Sequence, residues 1–197
     1  MFYGYELLGD SNMLRFALQH GENVIGFDRF KTKQLGLCKS GLTIEELLQL
    51  VKEQRENLSP KVAVLIGTND ILKCSSDIAM RSDFNKVRGF LDRLRTILKT
   101  HCEEVVFLTV PPIPRREEQC QEKYFTRQKA LNRNILSCTG PKVRALALHA
   151  ELEDSLGNAT ASLFEKTMGK GRSERPDGIH LNKEGLQVLA DFLKREL

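Results

Sequence analysis

Two short stretches constrain this chain more than any others. Residues 61–66 and 104–110 carry VAVLI and VVFLTV, nearly unbroken runs of apolar and β-branched side chains. A strand wetted on one face alternates apolar with polar residues, whereas a strand covered on both faces does not. Runs of this kind therefore belong to a parallel sheet held between two layers of helices. Strand-like runs at 3–8, 23–27 and 143–148 continue the series, and helical patterns fall between them. Thr43 with Glu46 reads as a capping box, after which Ile44, Leu47, Leu48 and Val51 recur at helical spacing. Phe84, Val87, Phe90, Leu91, Leu94 and Leu98 form one buried stripe over 83–98. Further helices are expected over 13–19, 126–136 and 183–197, the last burying Leu186, Leu189, Ala190 and Leu193. The alternation predicts an α/β fold, a three-layer α/β/α sandwich on a parallel sheet of about five strands with right-handed crossovers. Functional groups then belong on the loops that leave the carboxyl ends of the strands.

Length and composition narrow the class further. A chain of 197 residues, 41% of them hydrophobic, is sized for a single compact domain over 1–197. No apolar run approaches the ~20 residues of a membrane span. The apolar start lacks a basic n-region and soon meets Glu6, Asp10 and Arg15, so it does not read as a signal peptide. Five cysteines, odd in number and without a CxxC pair, argue against a disulfide framework or a zinc ribbon. A reducing, cytoplasmic setting is expected, and there the triplets at Asn57 and Asn158 are accidental rather than glycosylated. Thirty basic against 26 acidic residues leave a net charge of +4, too little to demand a polyanionic partner.

Three strand-end loops hold the chemistry. Gly9-Asp10-Ser11-Asn12 joins the first strand to a helix, a turn that lifts a serine hydroxyl out of the sheet beside the positive helix end. Taken alone, it is equally an ordinary helix cap. Gly67-Thr68-Asn69-Asp70 follows the 61–66 strand, where the Asn69 amide can donate to an oxyanion above Ser11, although turns favour the same residues. Asp177-Gly178-Ile179-His180 precedes the last helix. Its spacing lets the carboxylate fix the imidazole while the far ring nitrogen reaches a serine. His20, His101 and His149 have no comparable setting and read as surface or packing residues.

Together these segments resemble the SGNH, or GDSL-like, hydrolase superfamily: GDS at Gly9 to Ser11, glycine in Ser40-Gly41-Leu42, GTND at Gly67 to Asp70, and DxxH at Asp177 to His180. Pro111-Pro112, Leu131-Asn132 and the run LNKEGLQVLADFL after His180 agree. The resemblance implies a flavodoxin-like sandwich and a serine esterase acting on a small acyl or acetyl ester. Ser11 would be the nucleophile, His180 the base and then acid, and Asp177 the group that orients it. The Ser11 and Gly41 N–H groups and the Asn69 side chain would form the oxyanion hole. It implies no metal and no cofactor.

Basic residues supply the alternative. Arg29, Lys31, Lys33 and Lys39 cluster before Gly41, Arg115 and Arg116 follow the prolines, and Lys170, Arg172 and Arg175 precede Pro176. One branch of the superfamily, the OSK domain of the insect protein Oskar, is similar in size and implies an RNA-binding module without turnover that has lost its catalytic residues. This sequence differs in keeping all of them. The esterase modules of LINE-type retrotransposon proteins are a further likeness, implying hydrolysis beside a nucleic-acid-handling partner. Acidic neighbours such as Glu117, Glu118, Glu165 and Glu174 give the basic groups a blander reading as solvated surface.

Overall fold

A computed structural model describes residues 1–22, 32–73, 79–114, 118–137, 139–168 and 175–197, with side chains for all of these except 79–83, 118–123 and 175. The two apolar runs, β4 (Lys61–Leu65) and β5 (Glu104–Leu108), lie side by side in the middle of a six-stranded sheet. With β1 (Glu6–Gly9), β2 (Gln34–Leu35), β3 (Cys38–Lys39) and β6 (Val143–Leu146), the order is β2-β3-β1-β4-β5-β6. All neighbours are parallel except the β2–β3 edge hairpin. The α/β expectation holds, with one strand more than the expected five. Two-residue edge strands carry no periodic signal, and the strand expected over 23–27 lies outside the described residues.

Alternate side chains feed two cores. Leu8, Val62, Val64, Val105 and Phe107 pack against α2 (Ile44–Gln54), α4 (Ala79–His101) and α5 (Glu118–Leu136) through Leu47, Leu48, Leu91, Leu94, Leu131 and Ile135. Leu7, Ala63, Leu65, Val106 and Leu108 face α1 (Ser11–His20) and, after the short α3 (Thr68–Lys73) and α6 (Leu148–Glu151), α7 (Lys183–Glu196). Because both faces of every central strand are covered, an alternating polar face would have left buried polar groups unpaired.

The capping box forms as read: Thr43 Oγ1 accepts the Glu46 N–H at 3.3 Å, and Glu46 Oε2 accepts the Thr43 N–H at 2.8 Å. The helices expected over 83–98 and 126–136 begin earlier, at Ala79 and Glu118, and Tyr124 in the added part of α5 packs against the core. The strand expected to reach residue 110 stops at Leu108. The Val110 N–H donates to Asn132 Oδ1 at 2.8 Å, and its carbonyl accepts from Asn132 Nδ2 at 3.0 Å, so a side chain on α5 takes the place of a ladder partner.

The sheet order decides where chemistry can occur. β1 lies between β3 and β4, and the chain leaves β1 toward one side of the sheet and returns on the other. This is a topological switch point, where loops part and leave a crevice at the strand carboxyl ends.

Candidate active site

Ser11 is the first residue of α1, directly beyond that switch point. Gly9 allows the turn because a Cβ there would run into the Leu65 carbonyl oxygen on the adjoining strand. Asp10 caps the helix, its Oδ1 accepting the Asn12 N–H at 3.0 Å. The Asp10 side chain is fully buried, and desolvation pushes its pKa up against the pull of that N–H. The Ser11 N–H occupies the helix position that lacks an intrahelical partner, and so points its positive end outward with the dipole.

The histidine loop is built by β7 (Thr167–Met168) and β8 (Arg175–Pro176), an antiparallel pair that delivers Asp177. The Asp177 N–H donates to the Lys166 carbonyl at 3.1 Å, the Gly178 N–H to the Glu165 carbonyl at 2.8 Å, and the Glu165 N–H to the His180 carbonyl at 2.8 Å. Gly178 turns the loop with a φ of +71°, a left-handed value for which glycine has no steric cost. Asp177 Oδ1 accepts the N–H groups of Ile179 and His180 at 3.0 and 3.2 Å, and Oδ2 lies 2.8 Å from His180 Nδ1. Burial opposes the charged carboxylate, but the His180 ring and these N–H donors together hold its pKa below the ordinary carboxylate value. An ionised Asp177 accepts a hydrogen bond from the proton on Nδ1, and that tautomer leaves Nε2 as an acceptor. That nitrogen is 3.0 Å from Ser11 Oγ.

Asn69 is the second residue of α3, which begins directly after Gly67, where a Cβ would come within 2.6 Å of Leu131 Cδ2. Its Nδ2 donates to the Leu42 carbonyl at 2.9 Å, which leaves a second amide hydrogen. Asp70 accepts the Ile44 N–H at the start of α2, with Oδ2 at 3.1 Å, and burial raises its pKa to about 7. These two bonds fasten the loop after β4 to the loop after β3, which carries exposed Gly41 with a φ of +80°. The structure thus joins Ser11, Asp177 and His180 directly and sets Gly41 and Asn69 on the two strand-end loops that flank the serine.

Of the remaining histidines, His149 bonds the Thr109 hydroxyl through Nδ1 at 2.9 Å, His20 stacks obliquely on Phe16, and His101 is exposed. Lys33 and Lys39 are exposed on the β2–β3 hairpin. Arg29, Lys31, Arg115, Arg116, Lys170 and Arg172 lie outside the described residues, as does the side chain of Arg175. Cys38 and Cys102 are buried free thiols, whose pKa values burial raises, that of Cys102 to about 11. Among the described residues, no group of His, Cys, Asp or Glu is arranged to hold a metal ion, and no helix is long and apolar enough to cross a membrane. Asn12 is the site residue that sequence reasoning passed over. Its side chain bonds the backbone on both sides of His180, yet an asparagine in a turn signals only a cap.

The sheet order and the covering helices are those of the SGNH, or GDSL-like, hydrolase fold. Within it, a family model for the OSK domain matches residues 1–197, and the chain belongs to the OSK domain family. The OSK domain of Drosophila Oskar superposes with a TM-score of 0.74 at 20% identity, over 100% of this chain and 89% of that one. A GDSL-like lipase from Bacteroides thetaiotaomicron gives 0.68 at 16% identity, over 96% and 85% of the two chains. A carbohydrate esterase family 3 protein from Talaromyces cellulolyticus gives 0.60 at 12% identity, over 98% and 94%. No curated protein sequence matches the chain significantly.

Proposed function

We propose that this protein is a serine esterase that hydrolyses a small acyl or acetyl ester. One observation carries the reading: an unbroken relay in which Asp177 lies 2.8 Å from His180 Nδ1 and His180 Nε2 lies 3.0 Å from Ser11 Oγ. A neutral serine is a weak nucleophile, and an adjacent base is what activates it. His180 Nε2 takes the Ser11 proton as Oγ attacks the ester carbonyl carbon. The resulting oxyanion is held by the Ser11 and Gly41 N–H groups and the second hydrogen of Asn69 Nδ2. His180 then protonates the departing alkoxide oxygen, leaving the acyl group on Ser11. Water, deprotonated by the same nitrogen, adds to the acyl carbon, and His180 returns that proton to Ser11 Oγ as the acid leaves. An oxyanion donor of the Asn69 kind is worth about 2.7–4 kcal/mol in other enzymes. The buried free thiols Cys38 and Cys102 suit a reducing, cytoplasmic setting.

Para-nitrophenyl acetate and a fluorophosphonate probe test the reading together. The parent protein turns the ester over and is labelled on Ser11, and Ser11→Ala abolishes both while its melting temperature is kept. A folded parent that neither hydrolyses nor takes the label overturns the reading.

Membership of the OSK family favours a second reading, an RNA-binding module without turnover. Its contacts would be the exposed Lys33 and Lys39 together with Arg29, Lys31, Arg115, Arg116, Lys170, Arg172 and Arg175. Phosphate contacts weaken as salt rises, so a salt series with single-stranded RNA decides it. Binding weaker than ~10⁻⁴ M at physiological salt, below the usual non-specific range, rejects it.

A further inference from the structure

We propose that Asn12 is a positioning residue for His180, and that it sets the imidazole against Ser11 by bonding both peptide groups that flank the histidine. The Asn12 Oδ1 accepts the Leu181 N–H at 2.9 Å, and its Nδ2 donates to the Ile179 carbonyl at 3.4 Å. One neutral side chain thereby acts as the missing strand partner of a single residue, and that residue is His180. The amide is wholly buried on the second residue of α1, and its own N–H is held by Asp10. Its position is therefore fixed by the same turn that fixes Ser11. Both ends of the Ser11–His180 pair are in this way referred to one rigid element, although the two residues are 169 apart in sequence.

The rest of the loop's support lies elsewhere. The Glu165–Lys166 segment holds the other edge through backbone bonds to Asp177, Gly178 and His180. That segment meets α1 through a partly exposed ion pair, Arg15 to Glu165 at 3.6 Å, which water screens. Asp177 orients the ring within its own loop but makes no reference to the serine. Among the described residues, the hydrogen bonds that tie the histidine backbone to the serine helix are those of Asn12. The amide offers an acceptor and a donor on two separate atoms without charge, one for each peptide group. A carboxylate would face the Ile179 carbonyl and stand next to buried Asp10, and an apolar residue would take the partner from the buried Leu181 N–H and from the part-buried Ile179 carbonyl.

For its effect on turnover the proposal rests on the esterase reading, since misplacement of a catalytic group by about 1 Å can cost on the order of 100-fold in rate. The experiment compares Asn12→Ala and Asn12→Asp with the parent by para-nitrophenyl acetate kinetics and melting temperature. It also follows the NMR cross-peak between the His180 ring proton Hε1 and the Ser11 β-protons. A ten- to hundredfold fall in kcat with KM within twofold, together with loss of the cross-peak in a folded variant, is the expected result. Asn12→Asp, which keeps the acceptor toward Leu181, carries the comparison should Asn12→Ala not fold. Unchanged kcat and an intact cross-peak in a folded variant overturn the proposal. A parent without turnover sinks the esterase reading alone, because the cross-peak still decides whether Asn12 sets the ring.

Discussion

Among individual residues, the carboxylates show how placement, not residue type, sets chemistry. Asp177 sits among N–H donors and a histidine ring that keep it ionised, whereas part-buried Asp70 is raised to about 7 mainly by desolvation. In the unfolded chain Asp70 should titrate near ~3.9. Between about 4 and 7 the folded state then holds a proton that the unfolded state has lost, so Asp70's contribution to stability is full below about 4 and falls as pH rises through 7. The expected slope is at most about 1.4 kcal/mol per pH unit. Asp70→Asn removes that dependence. Urea unfolding of parent and variant at pH 5 and pH 8 checks it: the variant's advantage should grow with pH, and a constant difference contradicts the assignment. At this scale the sequence exposed Ser11, Asp177, His180 and Asn69, because each stands in a motif. Asn12 and Asp70 lay beside them unread, since their work is done on backbone groups far away in sequence.

Whole elements were legible in proportion to their periodicity. The Thr43–Glu46 box and the apolar stripe behind it located the start of α2, and two β-branched runs located the central strands. The ends of elements followed a different rule. β5 stops where the Asn132 amide captures both polar groups of Val110, an interaction made by a residue 22 positions on. Asn132→Ala tests that reading. The Val110 carbonyl keeps Gln128 Nε2 at 3.1 Å, so only its N–H is orphaned. The expected loss is therefore about 1–3 kcal/mol, the usual cost of one buried unpaired group, measured by chemical denaturation. A loss below about 0.5 kcal/mol would mean that the strand end is held by packing instead, as by Leu131 against Gly67.

For the molecule as a whole, the two cores share one sheet, and α7 closes the face that α1 begins. Leu186, Leu189, Ala190 and Leu193 are all buried there beside Met13 and Phe16. A protein ending at residue 182 would expose that face and lose the C-terminal side of the histidine loop. It should show no cooperative thermal transition, and a sharp transition by circular dichroism would contradict this account of the core. What the sequence determined by itself was the layering and the candidates: strands covered on both faces, helices between them, and three polar turns at strand ends. Hydrophobic period and turn chemistry act over a few neighbouring residues, and so can be read without a partner. Tertiary structure alone decided that Ser11 and His180 meet at 3.0 Å, that an edge hairpin widens the sheet, and that Asn12 joins the two ends of the chain. The Ser11–His180 and Asn12 contacts are hydrogen bonds between segments that no local preference brings together, and they exist only once the core has fixed the loops above it.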